Sequence, residues 1–450
     1  MTDVVSLLRA KLGDAVSTAA IELAAAKSDH SGKSTTSPPL AIVTPTNIAG
    51  VQTVLKIANE LRIPVVPRGA GTGLAGGAIG GEGEIVLSTL ALREIVEVSV
   101  DDELAVVGPG ILNEELNLAL APHGLWFAPD PASKAISTIG GNIATNAGGL
   151  LCAKYGVTRD SVLGLKVVLA DGRLLSIGHR TVKGVTGLDL TALMIGSEGT
   201  LGVIVEATLK LHGLPLGPVA TIGAWFESVE QAARAAAVIT ASRLRPAAME
   251  LLDAAALAAI SDHLGLDLGG RGAYLLVQTD GPSAPVEADA AVAIVRSLGG
   301  VAELTYDPVE GERLFAIRRS FHPAMAKKGT VLIEDVAVPR SKLPAMFHAI
   351  GEIEARYGIV IATVAHAGDG NLHPNFVFDG VEVPDQIWAA ADEMFLACLR
   401  LGGTLTGEHG VGILKKRWLR DELGDDQLAL QRQIKDVFDP NGILNPGKVF

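Results

Sequence analysis

His366 and His373 bracket the stretch His366-Ala367-Gly368-Asp369-Gly370-Asn371-Leu372-His373, directly after an apolar run. A strand followed by a glycine turn can fold both imidazoles toward one point. Further on, Thr406-Gly407-Glu408-His409-Gly410 places a carboxylate and another imidazole between glycines, on a loop that can approach closely. Two histidines and a carboxylate make a three-ligand metal site with open positions, the arrangement in which a catalytic metal can take substrate. The plainer reading makes Asp369-Gly370 a turn, with both histidines satisfied by hydrogen bonds. Spacing alone leaves both readings open; in either, Asp369 is a turn residue.

Three runs of small residues form a second kind of signal. Pro67 to Gly77 reads PRGAGTGLAGG, and Gly71-Thr72-Gly73-Leu74-Ala75-Gly76 inside it fits GxGxxG. The dinucleotide fingerprint requires its last glycine to open a helix that holds the pyrophosphate. Here Gly77 to Gly83 reads GAIGGEG, a poor helix, and a strand follows, so the nicotinamide reading is rejected. Glycine backbone N–H groups can still nest an anion, and a tight turn is an equal reading of this segment alone. Ser137 to Gly149 (STIGGNIATNAGG) and Gly196 to Ile204 (GSEGTLGVI) have the same texture. One such run is compatible with packing; three together suggest a deep cofactor cleft.

These segments need elements to hold them. Val4, Val5, Leu7, Leu8, Leu12 and Val16 recur at helical spacing and predict a first helix. Ser28 to Pro39 is polar and reads as a linker. Ala41 to Val43, a helix capped by Thr46 or Asn47, and Pro64 to Pro67 predict a strand–helix–strand unit with neighbouring parallel strands. Ile95 to Val100 with Leu104 to Val107, and Leu165 to Leu169 with Leu174 to Ile177, read as hairpins turning at Asp101-Asp102 and Asp171-Gly172. Gly213 to Pro218 clusters glycine and proline and marks a boundary. Beyond it, Ala-rich helices (Ala232 to Ile239, Ala254 to Ile260) alternate with strands (Ala273 to Gln278, Val331 to Ile333, Ile359 to Val364), an α+β second domain.

Composition excludes several function classes. Net charge is −13 over 450 residues, the wrong sign for a broad nucleic-acid footprint, and aromatics at 4% give little for base stacking. There are 52 glycines, well above the ordinary share of about 7%. The two cysteines, Cys152 and Cys398, are too few for the four thiolates of an iron–sulfur cluster and exclude a disulfide scaffold. The N-terminus lacks signal-peptide character, and no apolar stretch approaches about 20 residues. A soluble, cytoplasmic protein with no membrane span is expected.

On these motifs the chain resembles the vanillyl-alcohol-oxidase-type flavoproteins. Its C-terminal half resembles the branch that contains D-lactate dehydrogenase, the FAD subunit of glycolate oxidase and D-2-hydroxyglutarate dehydrogenase. The match spans about Pro39 to Phe450. The implied fold class is α+β: a two-part FAD-binding domain plus an α+β substrate (cap) domain, with a C-terminal tail returning to the FAD domain. The expected boundaries are an N-terminal helix and linker over 1–35, the FAD domain over 36–215, the cap over 216–410, and the returning segment over 411–450. The resemblance makes Pro67, Arg68, Gly69, Ala70, Gly71, Thr72, Gly73 and Leu74 the pyrophosphate loop. Pro131, Ser137, Gly140, Gly141, Ala144, Asn146 and Gly148 become the second FAD wall. Glu198, Gly199 and Ile204 become the adenine-side segment, and Asn445-Pro446-Gly447-Lys448 the tail returning to the flavin.

The same resemblance implies one divalent metal (Zn or Mn, with Fe a third choice) on His366, His373 and Glu408. It makes His409 the general base, a role that an imidazole titrating near working pH suits. Adjacent side chains diverge, so His409 is expected to point away from Glu408. Arg318 matches the family's carboxylate-binding arginine, a bidentate grip that fixes which face of the carbon meets the flavin. Arg319 is its competitor, about 100° away on a helix, and a solvated basic pair is the plain alternative. Asn375 is a candidate substrate contact, or a loop amide bonded to backbone.

Two departures refine the expectation. Enzymes selective for 2-hydroxyglutarate carry a lysine two residues before the Asp of the strand entering the site. The matching position is Ile333, before Asp335, which favours D-lactate or glycolate, with Lys327 or Lys328 as nearby substitutes. Covalent flavin attachment would need an early histidine; His30 lies in the polar linker, so non-covalent FAD is expected. The expected function is FAD- and metal-dependent oxidation of a small D-2-hydroxy acid. The alternatives are a D-2-hydroxyglutarate dehydrogenase, the FAD subunit of a glycolate-oxidising complex with a separate iron–sulfur subunit, and a sugar-nucleotide reductase on the same fold, which the histidines count against. Electrons would leave to an electron-transfer flavoprotein, a quinone or a cytochrome, and a homodimer is the default assembly.

Overall fold

In the computed structural model, which describes residues 4–268, 271–380 and 382–450, the expected strand–helix–strand unit forms as Ala41–Val43, Ile48–Leu61 and Val65–Arg68. Asn47 caps the helix, its Oδ1 accepting the Gly50 N–H at 2.9 Å. The two strands are parallel but not neighbours, contrary to expectation, because Ile85–Ser88 inserts between them. The reason is burial. All four residues of Ile85–Ser88 are buried, as a central parallel strand requires, whereas Pro67 lacks the N–H a central strand would use.

The expected first helix also ends early. It covers Val4–Leu12, Gly13 turns left-handed at φ +54°, and Val16 instead pairs with Val43 in a short antiparallel strand. Met1 to Asp3, the start of the expected 1–35 segment, lie outside the described residues.

The chain divides into two units. The first runs to Gly148, resumes over Gly156–Leu214 and ends with Glu408–Phe450. Beside the mostly parallel sheet it holds a five-stranded antiparallel one, ordered Ile95–Ser99, Leu104–Val107, Val203–Lys210, Val162–Val168, Leu174–Gly178. Both expected hairpins are in it, and Gly172 turns the second at φ +81°. No helix forms over Gly77 to Gly83. The core of this unit gathers Val43, Val51, Leu55, Ile85 and Leu87 around the parallel sheet. A second cluster gathers Val107, Leu116, Phe127, Val167 and Leu209.

The second unit comprises Gly149–Tyr155 and Pro215–Gly407. Among the described residues it is an antiparallel sheet with helices. Its strand order is Val301–Thr305, Val219–Phe226, Ala273–Asp280, Ala248–Asp253, Ile361–His366, Asn371–Phe378, Thr330–Ile333, with Val336–Ala337 also paired to Asn371–Phe378. The register of the central pair sets Leu252 opposite Val364 and Glu250 opposite His366. Leu252 and Val364 sit in the core with Leu276, Ile260 and Phe321. A one-residue slip of either strand would turn its core side chain out of that cluster, at about 2 kcal/mol for each. Among the described residues, no helix is long and apolar enough to cross a membrane.

Candidate active site

In the first unit the three small-residue runs and the C-terminal tail meet. Gly69 packs so closely against the second run that a Cβ there would lie 2.4 Å from Thr138 Oγ1. Gly71 has φ +74°, and a Cβ would strike the Arg68 guanidinium, whose Nη1 donates to the Ala78 carbonyl at 2.6 Å. Burial lowers the Arg68 pKa, opposed by the nearby Asp29 carboxylate. Thr138 caps the short helix Ile139–Thr145, which Asn146 ends in the left-handed conformation at φ +52°. Ile204, expected on the adenine side, is the second residue of Val203–Lys210 and part of the apolar core.

Glu198 joins these segments. Its N–H donates to the Ala144 carbonyl at 2.9 Å, and its own carbonyl accepts from Asn445 Nδ2 at 2.7 Å. Its carboxyl accepts the backbone N–H groups of Val411 and Gly412 at 2.6 and 2.9 Å. Burial pushes that carboxyl up to about 7, against the two N–H bonds and the Lys415 charge. The tail is fixed by Val65, whose N–H donates to Ile443 and whose carbonyl accepts from Asn445. Ser137 Oγ, Asn142 Nδ2 and Asn445 Oδ1 are buried here with no hydrogen-bond partner among the described residues. Asn142 is absent from the expected site residues; its place inside the glycine run was the available signal. His30 is exposed in the polar segment.

Glu408 and His409 also belong to the first unit. A Cβ on Gly148 would lie 2.6 Å from Glu408 Oε2, so a larger residue there would displace the Glu408 carboxylate. The two side chains do not diverge as expected: His409 Nε2 and Glu408 Oε1 are 3.9 Å apart. Divergence holds along a strand, but residues 407–409 form a bend, with Gly410 at φ +84°.

The second unit holds the other candidates. Ile361–His366 and Asn371–Phe378 form a hairpin through Asp369, with Gly370 at φ +84°. Its register puts His366 and His373 on one face, and their rings stand edge to face at 5.1 Å. His366 Nδ1 lies 2.7 Å from Glu250 Oε1, and Glu250 Oε2 accepts the Arg318 Nε–H at 2.8 Å. Arg318 is thus buried, while Arg319 on the same helix is exposed, paired with Glu312 and lying over the Phe315 ring. Asn375 Nδ2 donates to the His373 carbonyl at 2.7 Å, and its Oδ1 is buried with no partner among the described residues. Asp335 Oδ1 accepts from Asn371 Nδ2 at 2.6 Å and lies 3.8 Å from His373 Nδ1. Its Oδ2 accepts the Thr406 hydroxyl at 2.6 Å.

Glu250 and Asp335 are the functional candidates that the sequence reading left without a role. Each is fully buried, and a buried carboxylate needs a cation, a metal or donors. For Glu250 the signal was a lone acid in the apolar run Ala247-Ala248-Met249-Glu250-Leu251-Leu252. The arrangement offers a guanidinium for an anion, two imidazoles with the donor chemistry for a divalent metal, and carboxylates to orient them.

Residues 218–449 match the family described as FAD linked oxidases, C-terminal domain, and residues 39–178 match the FAD binding domain. The chain is 41% identical over 422 residues to the glycolate oxidase subunit GlcD of Bacillus subtilis, covering 92% of this chain and 89% of that one. It is 37% identical over 413 residues to a D-lactate dehydrogenase of Archaeoglobus fulgidus, covering 91% and 90%. Its fold matches the crystal structure of p-cresol methylhydroxylase with a TM-score of 0.81 at 18% identity, over 99% of this chain and 96% of that one.

Proposed function

Because the chain belongs to the FAD-linked oxidases and has their vanillyl-alcohol-oxidase-type fold, we propose that this FAD-linked oxidoreductase converts a small 2-hydroxy acid, D-lactate first and glycolate second, to the 2-oxo acid. The observation that carries the reading is the sheet face bearing His366, His373 and Asn375, with the buried guanidinium of Arg318 joined to it through Glu250. It pairs a carboxylate-gripping cation with metal-ligating imidazoles, the two needs of a 2-hydroxy acid. The names of the two relatives support the same substrate class.

The glycine-lined segments and the buried polar atoms of Ser137, Asn142 and Asn445 fit non-covalent FAD. Bound FAD supplies the hydride acceptor. The donor set of His366 and His373 fits a divalent metal, Zn²⁺ or Mn²⁺ before Fe²⁺, with Glu408 as the third ligand the family resemblance assigns. Such a metal supplies Lewis acidity that lowers the hydroxyl pKa. Arg318 holds the substrate carboxylate through its terminal nitrogens, since its Nε–H is given to Glu250. His409 takes the hydroxyl proton on an imidazole nitrogen.

Ile333 lies directly opposite Asn375 and so shares its face of the sheet. An apolar side chain there offers nothing to a second carboxylate, and Lys327 and Lys328, the nearby substitutes, are both exposed, Lys328 paired with Asp262. Both favour a small substrate over 2-hydroxyglutarate. The test is anaerobic bleaching of the flavin by D-lactate, L-lactate, glycolate and D-2-hydroxyglutarate. Fast bleaching by D-lactate or glycolate is expected; bleaching by NADPH alone would sink the reading.

A second reading, the FAD subunit of a glycolate-oxidising complex, is favoured by the subunit name of the Bacillus relative and by the two buried cysteines here. In it a partner carries the iron–sulfur cluster. The flavin would then bleach with glycolate, but turnover with an electron-transfer flavoprotein, quinone or cytochrome would need the partner.

A further inference from the structure

We propose that Glu250 is a positioning residue: its two carboxylate oxygens set the tautomer of His366 and the edge that Arg318 presents to a ligand. The role of the Arg318 edge in substrate binding rests on the 2-hydroxy-acid reading above; the tautomer does not.

Register makes the contact unavoidable. Glu250 in Ala248–Asp253 pairs directly with His366 in Ile361–His366, and directly opposed side chains leave an antiparallel sheet on the same face. The neighbouring pairs Leu251–Ala365 and Leu252–Val364 are fully buried and hold that register. Glu250 is itself fully buried, and its oxygens are divided: Oε2 accepts the Arg318 Nε–H at 2.8 Å and Oε1 faces His366 Nδ1 at 2.7 Å.

Two consequences follow from donor and acceptor chemistry. A carboxylate accepts, so in the neutral ring the proton sits on Nδ1 and Nε2 keeps the lone pair a metal needs. The Nε edge of Arg318 is occupied, so an incoming carboxylate meets the end-on edge made by Nη1 and Nη2. Both groups are thus oriented by one carboxylate, the imidazole through Nδ1 and the guanidinium through Nε.

Glu250→Gln separates this role from that of a plain counter-ion. A glutamine has one acceptor oxygen for two donors. Either Arg318 loses its partner, or the amide N–H₂ faces Nδ1 and drives the ring proton to Nε2. The variant should keep its yellow colour, bind Co²⁺ about 10–100-fold more weakly and show a KM for the best bleaching acid that rises more than kcat falls. Glu250→Asp, which keeps both acceptors, should recover part of the Co²⁺ affinity. Wild-type Co²⁺ affinity and KM in Glu250→Gln would overturn the proposal.

A second measurement needs no folded variant. In metal-free wild-type protein with ¹⁵N-labelled histidine, the His366 ring should carry its proton on Nδ1; a proton on Nε2 would overturn the assignment. Neither Co²⁺ affinity nor the tautomer depends on turnover, so failure of the 2-hydroxy-acid reading, seen as no bleaching by any acid, is a distinct result.

Discussion

Asn445 Nδ2 donates to the Glu198 carbonyl at 2.7 Å, while the Glu198 carboxyl holds the N–H groups of Val411 and Gly412, just beyond His409. Glu198 therefore ties the C-terminal tail and the loop carrying the expected base to one buried residue. Its folded pKa is raised to about 7 from an ordinary 4.5, so the folded protein holds this proton where the unfolded chain has released it. Its contribution to stability is thus largest below about pH 4.5 and is lost as pH rises to about 7, by roughly 3 kcal/mol. Glu198→Gln cannot titrate. The stability of wild type relative to this variant, read from urea midpoints at fixed pH, should fall across that window; a constant difference would show that Glu198 titrates normally.

His409→Ala should lower kcat by about 10²–10⁴-fold, the usual worth of a positioned base, with FAD still bound. Stopped-flow reduction at several pH values checks this. Substrate-dependent bleaching at the wild-type rate would remove His409 from the proton step.

Local signals were legible, and long-range pairing was not. The glycine turn between His366 and His373 predicts a hairpin because Gly370 tolerates φ +84° and the apolar strand before it is continuous. The small-residue runs likewise announced backbone that must approach something closely. What escaped the reading depends on partners far along the chain. Ile85–Ser88 entered between two strands that looked adjacent, because burial on both faces decides strand order and sequence proximity does not. Glu250 could be seen as an acid in an apolar strand, but its role needed the register that sets it against His366, 116 residues away. The divergence expected of Glu408 and His409 failed because a bend does not alternate side chains as a strand does.

Arg318→Ala should raise KM and cost about 2–5 kcal/mol in kcat/KM, because it removes a buried charge and strands Glu250. Arg319→Ala, at an exposed ion pair, should change kcat/KM by less than about threefold. Steady-state kinetics on the two variants decides between them; the opposite ranking would move the carboxylate grip to Arg319.

Chelation should abolish activity while the flavin spectrum persists, because the imidazole pair and the segments proposed to line FAD are built from different residues. Re-addition of Zn²⁺ or Mn²⁺ should restore turnover, and His373→Ala should bind neither. Full activity in protein verified metal-free by elemental analysis would sink the metal assignment.

Ile333→Lys tests the substrate argument. Ile333 lies opposite Asn375, so a lysine there would project from the same sheet face and offer an ammonium to a distal carboxylate. One charge-assisted hydrogen bond contributes about 1.5–3 kcal/mol, so bleaching by D-2-hydroxyglutarate should speed up by at least about tenfold. D-lactate has no distal carboxylate and gains nothing, so the ratio of the two rates should shift by a similar factor. If wild type already prefers D-2-hydroxyglutarate, or the lysine leaves the ratio unchanged, position 333 does not set substrate length.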